Sequence, residues 1–287
     1  MPREKLYPNF GPLETLNNLF LRGHICKELP QRHFAQLLRL KKGPTEKYEF
    51  FKKFLKTTPA LMPAQKKLAH SLRYEVFCHI PGFEDPKKFT DGMETDKYDR
   101  HAEHVLLYYR PLNKPLLPLG TIRVVFPNQD DLQHSFPLQV VMPNLFKKNG
   151  NKIEQYCEFS RLCLSRTACK EALGDMFVRL SQIYSTSLPM AAAQRKAQQT
   201  ADQFLNLASV ALIGGAYELI LSRGIRNCIN AMEPHHMQKL IALGLIYDRL
   251  GPDIEYHGTR TPFESNISKV LENTAENHPF IREILSA

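Results

Sequence analysis

Residue types that could do chemistry are concentrated between Arg73 and Arg161. One group is an acidic turn, Glu94-Thr95-Asp96-Lys97-Tyr98-Asp99, with three carboxylates in six residues. A second is a set of single arginines embedded in apolar sequence: Leu72-Arg73-Tyr74, Ile122-Arg123-Val124-Val125-Phe126 and Phe159-Ser160-Arg161-Leu162. An unpaired buried charge is very costly, so arginines in half-buried sequence need partners. The acidic turn is the obvious supplier. The pattern predicts an ionic network that shapes a pocket; the plainer alternative is a solvated turn with surface arginines. A third group is Glu154 and Glu158. If Ile153 to Leu164 is one strand, alternation puts both carboxylates on one face with Tyr156 and Ser160. Cys157, Phe159 and Arg161 then take the other face, unless a bulge intervenes. Like charges aligned in this way repel, and a bound amine would relieve them.

The elements that must position these groups alternate between helix and strand. A helix begins at Pro63, a favoured first-turn position, and carries Leu68, Leu72 and Val76 on one stripe; Arg73 and Phe77 share a neighbouring face. It ends before Pro81-Gly82, and a polar loop leads to the acidic turn. Strands follow at His104 to Tyr109 and Gly120 to Phe126. In the second of these, Thr121, Arg123 and Val125 face one way and Ile122, Val124 and Phe126 the other. Further helices are expected over 167–186 and over 191–223, the latter broken near Ser209. A strand is expected over 226–232, a helix from Pro234 to Gly244, short strands near 246–249 and 254–257, and helix again from Pro262. This order predicts an α/β domain on one mixed sheet. Residues 1–60 read as a helical extension, with stripes at Leu13, Leu16 and Phe20, at Phe34, Leu37 and Leu38, and at Tyr48, Phe51 and Leu55. The domain proper is expected over 61–287.

The 287 residues are 43% hydrophobic, enough for a packed core. The net charge of +9 suggests an acidic partner, though the lysine pairs are scattered rather than massed. No helix gathers Arg and Lys on one face and no aromatic-basic motif occurs, which argues against nucleic-acid binding. None of the six cysteines forms a C-x-x-C pair, and no metal site is expected. The N-terminus lacks a signal-peptide pattern, so reduced thiols and a cytoplasmic location are expected. The apolar run from Phe204 to Tyr217 is too short to span a bilayer and fits a buried helix. No dinucleotide or P-loop fingerprint and no G-x-S-x-G elbow occurs.

In order and spacing, Arg73-x-x-x-Phe77, Phe83, Glu94-x-Asp96-x-x-Asp99, Gly120-x-x-Arg123, Phe136 and Glu158-x-x-Arg161 resemble the signature of the acyl-homoserine-lactone (autoinducer) synthases. Phe83 stands where those enzymes usually carry Trp. The chain is more similar to their longer relatives, the N-acyl amino acid synthases and the PEP-CTERM/exosortase-associated acyltransferases, which are bacterial. Leu72 to Cys78, Tyr98 to His104, Glu158 to Leu162 and Glu255 to Arg260 carry that likeness, as does an extra helical segment at about 166–206. It covers roughly 65–265.

The resemblance implies a GNAT-like acyltransferase fold, with a central mixed, mostly antiparallel sheet flanked by helices. It also implies transfer of a fatty acyl group from an acyl carrier protein thioester to the amine of an amino acid or similar small amine. The acyl-phosphopantetheine of the carrier is then the donor, with no tightly bound cofactor. An amine nucleophile needs a base, which Glu158 or Glu154 could supply. Arg73, Glu94, Asp96, Asp99, Arg123 and Arg161 are assigned to the network that orders the loop over the acceptor, with Phe77 and Phe83 in the same pocket. Phe159 and Leu162 are assigned to the acyl slot. Oxyanion donors are expected from backbone N–H groups of a splayed strand near Phe159 to Leu162. The carrier would dock on Lys147-Lys148, Arg166, Lys170 and Arg195-Lys196, and a lipid product would bring transient membrane contact. Three other readings compete: acyl-homoserine-lactone synthesis from S-adenosylmethionine, a non-catalytic acyl-binding module, and a thiolate nucleophile at Cys163.

Overall fold

Strands buried on both faces build the centre of the molecule. The computed structural model describes residues 44–79, 83–146 and 153–286. Strand β1 (Leu55–Pro59) pairs with β2 (Ala102–Tyr109), which forms a hairpin with β3 (Leu117–Val125); β3 pairs with β4 (Tyr156–Leu164). Beyond β4 lie β5 (Asn227–Met232), β6 (Asp248–Arg249), β7 (Ile254–Glu255) and β8 (Thr259–Asn266). The eight strands run in the order β1-β2-β3-β4-β5-β8-β6, with β7 also on β8. Only β4 and β5 are parallel among these pairs. The expected mixed, mostly antiparallel sheet flanked by helices is what the chain forms.

Nine helices are described: α1 (Pro44–Lys52), α2 (Pro63–Arg73), the one-turn α3 (Leu138–Val141), α4 (Arg166–Ser185), α5 (Met190–Asn206), α6 (Ala208–Leu221), α7 (Pro234–Ala242), α8 (Ile267–Asn277) and α9 (Pro279–Ile284). The most apolar of them, α6, covers one sheet face. Val105, Leu107, Ile122 and Val124 meet Val210, Ile213 and Tyr217 in the main core. Each such buried side chain contributes roughly 1.5–3 kcal/mol. Gly215 permits this approach, since a Cβ there would lie 2.8 Å from Val105 Cγ1. The stretch Met190–Leu221 is long and apolar enough to cross a membrane by composition, but 72% of its most apolar window is buried inside the protein. The opposite sheet face carries a smaller cluster of Tyr98, Val125, Phe136, Leu138, Tyr156 and Ile229. Arg123, Glu158 and Ser160, singled out from sequence, lie on this second face.

Three boundaries differ from the sequence reading. The helix through Tyr48 and Phe51 stops at Lys52, and Leu55 begins edge strand β1; Thr57 and Thr58 are β-branched, and β2 supplies the hydrogen-bonding partner. The stripes at 13–20 and 34–38 lie outside the described residues. Ile153–Gln155 is a 3-10 turn, so β4 starts only at Tyr156. Pro262 lies inside β8 rather than at a helix start, because pairing with β5 continues through Asn266; Asn266 then caps α8 through the Lys269 N–H at 3.2 Å.

Candidate active site

α2 delivers Arg73 with no solvent exposure, and the chain then widens into a π turn over Tyr74–Cys78. Arg73 Nε donates to Glu94 Oε2 at 2.5 Å, while Nη1 and Nη2 donate to Asp99 Oδ1 and Oδ2 at 2.6 and 3.1 Å. The acidic turn holds its own shape: Asp96 Oδ1 accepts from Tyr98 N at 2.9 Å, and Asp99 Oδ2 accepts from Asp96 N at 2.7 Å. Arg123, also fully buried, reaches up from β3. Its Nη1 donates to Asp96 Oδ1 at 2.6 Å and its Nε to Ser160 Oγ at 3.0 Å. The network expected from the isolated arginines is present, and its charges are paired.

Arg161 joins from an unexpected direction. Thr121 pairs with Cys163 and Arg123 with Ser160, so two residues of β4 oppose Ile122 alone. This bulge holds Arg161 in left-handed backbone with φ 52. Simple alternation would have sent its side chain into the main core; the bulge turns it to the network face instead. There Nη2 donates to Glu94 Oε1 and Glu84 Oε1, both at 3.1 Å, and the guanidinium lies 5.6 Å from the Phe77 ring centroid. Phe77 stacks on Phe83 at 4.7 Å, and Phe83 stacks on His257 at 4.5 Å. The two phenylalanines thus form one wall beside the network.

Burial drives carboxylate pKa values up, but hydrogen bonds and positive charge reverse this in the turn. Arg73 and Arg161 hold Glu94 below its ordinary value. The hydrogen bonds and charge of Arg73, with the charge of Arg123, hold Asp99 far below the usual carboxylate range. Glu158 behaves differently. It is 2% exposed, its carboxylate accepts only the Leu138 N–H (at 2.8 Å) among the described hydrogen bonds, and burial raises its pKa to about 8. Glu94 and Asp99 are therefore fixed anions, whereas Glu158 can exchange a proton near neutral pH.

Glu154 does not stand beside Glu158. It is exposed in the 3-10 turn before β4, so the paired-carboxylate arrangement is absent and burial, with a smaller push from the Asp96 charge, raises the Glu158 pKa. Cys163 is buried, and burial raises its thiol to about 12, which disfavours the thiolate that a nucleophile needs. Phe159 and Leu162 are half-buried against the main core, with Phe159 5.9 Å from the Tyr217 ring. Arg166 and Lys170 are exposed on the first turns of α4; Lys147-Lys148 lies outside the described residues.

Sequence reasoning missed several contributors. His104 Nε2 accepts from Arg73 Nη1 at 2.9 Å. Burial lowers its pKa to about 4, so the neutral ring that this contact requires prevails at neutral pH. His70, Asp99 and His104 place three ligand-type atoms within 4.8 Å of one another, but a cation there would have to displace Arg73. Tyr98 and Tyr256 are close enough to feel the Glu158 charge, and burial raises both phenols. Residues His104 and Tyr256 were visible in stretches flagged for their resemblance, yet type and spacing gave them no role.

A break in the sheet lies next to Glu158. Tyr156, Cys157 and Glu158 pair with Asn227, Cys228 and Ile229, and the pairing stops there. β4 continues to Leu164 and β5 to Met232, but the two strands have parted. Phe159 to Leu164 therefore have β3 on one side and an open backbone edge on the other. This is the splay expected from the resemblance, with the protonatable Glu158 at its apex.

The family model for the acetyltransferase (GNAT) domain matches residues 72–178, a span containing all the network arginines and Glu158. No curated protein matches the chain in sequence. Among solved structures, TofI in a ternary complex with an inhibitor and MTA is similar with 18% identity and a TM-score of 0.49, covering 78% of this chain and 99% of that one. The AHL synthase LasI is similar at 15% identity and a TM-score of 0.45, covering 74% and 90%. FeeM, an N-acyl amino acid synthase from uncultured soil microbes, is similar at 12% identity and 0.45, covering 77% and 96%. The matched GNAT segment thus carries strands β2 to β4 of the mixed sheet, the network arginines and the splay beside Glu158.

Proposed function

We propose that the protein transfers a fatty acyl group from an acyl carrier protein thioester to the amine of an amino acid or similar small amine. The observation that carries this reading is Glu158, buried at the apex of the splay with a pKa of about 8. The open edge of β4 suits an extended acyl-pantetheine arm, because a free strand edge offers alternating N–H and C=O groups to an amide-bearing chain. The acyl chain continues along Phe159 and Leu162 toward Tyr217. The acceptor amine lies on the network face, with Phe77 and Phe83 as one wall.

The ionised Glu158 accepts a proton from the amine, directly or through one water. The amine nitrogen then attacks the thioester carbonyl carbon, forming the new C–N bond. Backbone N–H groups on the open stretch of β4 stabilise the tetrahedral oxyanion. Collapse breaks the C–S bond, and the leaving pantetheine thiolate takes up the proton that the nitrogen sheds as it becomes an amide. The fixed anions Glu94 and Asp99 take no proton; with Arg73, Arg123 and Arg161 they hold the loop that forms the acceptor side. Arg166 and Lys170, exposed where α4 leaves β4, meet the acidic carrier, in the cytoplasm where such thioesters are made.

The test is purified full-length protein with acyl carrier thioester or acyl-CoA and a panel of amino acids, simple amines and S-adenosylmethionine, read by mass spectrometry. A carrier-dependent acyl amide that falls at least ~100-fold in Glu158→Gln is expected. Acyl-CoA turnover that surpasses the carrier reaction would overturn the donor assignment. Product with S-adenosylmethionine alone would overturn the acceptor assignment. Undiminished turnover in the Gln variant would remove Glu158 as the base.

A further inference from the structure

Among the described residues, the basic residues expected to meet one acidic partner form two separate groups. Arg166 and Lys170 are at the start of α4, beside the splay. Arg195 and Lys196 are on α5 about one turn before Thr200, whose hydroxyl lies 3.1 Å from Tyr184 Oη near the far end of α4. From Arg166 to Tyr184 the helix runs about 27 Å. Arg195 and Lys196 thus stand toward the tip of the α4–α5 hairpin, away from the reaction.

The same tip is apolar. Among the described residues eleven large hydrophobic side chains are exposed, and six of them fall in just two segments: Leu112 and Leu116 in the β2–β3 loop, and Val178, Ile183, Leu188 and Met190 in the hairpin. Leu112 and Met190 are 64% and 63% exposed. The two segments are tied together. Arg179 Nη1 donates to the Arg110 carbonyl at 2.7 Å and to Tyr109 Oη at 2.9 Å, and Tyr109 in turn donates to Asp175.

Charge completes the pattern. Neither 110–129 nor 176–201 contains a single Asp or Glu, while Arg110, Lys114, Arg195 and Lys196 all belong to them. Scattered apolar exposure is ordinary, but here it falls in two segments that carry basic residues and no carboxylate of their own, with Asp175 already engaged by Tyr109 and Arg179. The apolar side chains stand on a loop and along the outer half of a helical hairpin. A protein partner would need a cavity for each; a fluid bilayer accepts them all, with headgroup phosphates meeting the basic residues. We propose that the α4–α5 tip and the β2–β3 loop form a docking surface for membranes containing anionic phospholipid.

The test is co-sedimentation of the full-length protein with vesicles of phosphatidylglycerol and phosphatidylcholine, beside pure phosphatidylcholine, at low and high salt. Binding to the anionic vesicles that weakens with salt is expected. Arg195→Gln and Lys196→Gln should each lower it about fivefold, the effect of about 1 kcal/mol per basic residue near an anionic surface. Leu188→Ser combined with Met190→Ser should abolish insertion while leaving turnover of soluble substrates and the thermal midpoint unchanged. Arg166→Glu combined with Lys170→Glu should keep full vesicle binding. No binding of the wild-type protein to anionic vesicles would overturn the proposal. So would equal binding by the Leu188/Met190 variant, or loss of carrier-dependent turnover in the Arg195 and Lys196 variants with vesicle binding intact, which would make the tip a carrier dock. Vesicle binding is read without turnover, so its failure is separate from that of the proposed reaction.

Discussion

Arg161 grips Glu94 through Nε and Nη2, at 3.2 and 3.1 Å from Oε1, and it can do so only because its backbone is left-handed at φ 52. One inserted residue in β4 therefore decides which side of the sheet carries this charge. A non-glycine residue in that conformation costs about 1 kcal/mol or more, which the ion pairs with Glu94 and Glu84 offset.

Arg161→Ala should lower kcat/KM by about 100-fold or more, since loss of this fork lets the acceptor-side loop shift. Far-UV circular dichroism should remain that of the folded protein, because Arg73 still holds Glu94. Arg161→Lys should recover little, as a single ammonium cannot reproduce the fork. A fully active Arg161→Ala protein would contradict the role given to this residue.

The pH–rate profile should rise as Glu158 ionises, with an apparent pKa of about 8. Glu158→Gln should flatten that limb. The linked stability runs the other way. The folded pKa lies above the ordinary value of 4.5, so the favourable contribution is complete below about 4.5 and is lost as pH rises through 8. Thermal melts of the wild type should therefore fall between pH 5 and 9 more steeply than those of Glu158→Gln, a comparison made with the two proteins in the same buffers (both pH values being about the window set by these pKa values).

Asp99→Asn should destabilise the protein by about 3–5 kcal/mol at pH 7, because it leaves Arg73 short of its bidentate partner in a buried site. Urea unfolding measures this. The folded pKa of Asp99 is depressed, so the wild-type advantage is present above the unfolded value near 3.8 and shrinks as pH falls below it. A difference that grew in acid would contradict the assignment.

Turnover with carrier-bound donor should fall as salt rises, and Arg166→Glu combined with Lys170→Glu should cause a similar loss at low salt. Salt-independent initial rates would speak against an electrostatic dock at the start of α4.

The network was legible in the sequence because single charges in apolar runs demand partners, and Arg73, Arg123 and the acidic turn met that demand. The side taken by Arg161 was not legible, since a bulge leaves no mark in residue type. Glu154 was misplaced for a related reason: the strand began three residues later than the apolar pattern suggested, and a turn residue has no strand face. β1 was hidden because Leu55 to Pro59 gains its order from pairing with β2, a contact far away in sequence. His104 was given no role because its partners, Arg73 and Asp99, come from a helix and a loop that only the fold brings together.

The parting of β4 and β5 has a consequence for how the sheet breathes. Three residue pairs join its two halves, so the seam is the weakest cooperative link in an otherwise continuous ladder. Amide protons on the open edge of Phe159 to Leu162 lie in the middle of the protein yet lack a strand partner. In the free enzyme they should exchange with solvent deuterium far sooner than those of β2, whose edges are both paired. An acyl donor lying along that edge would slow them selectively, so the reaction cleft carries its own built-in reporter of occupancy.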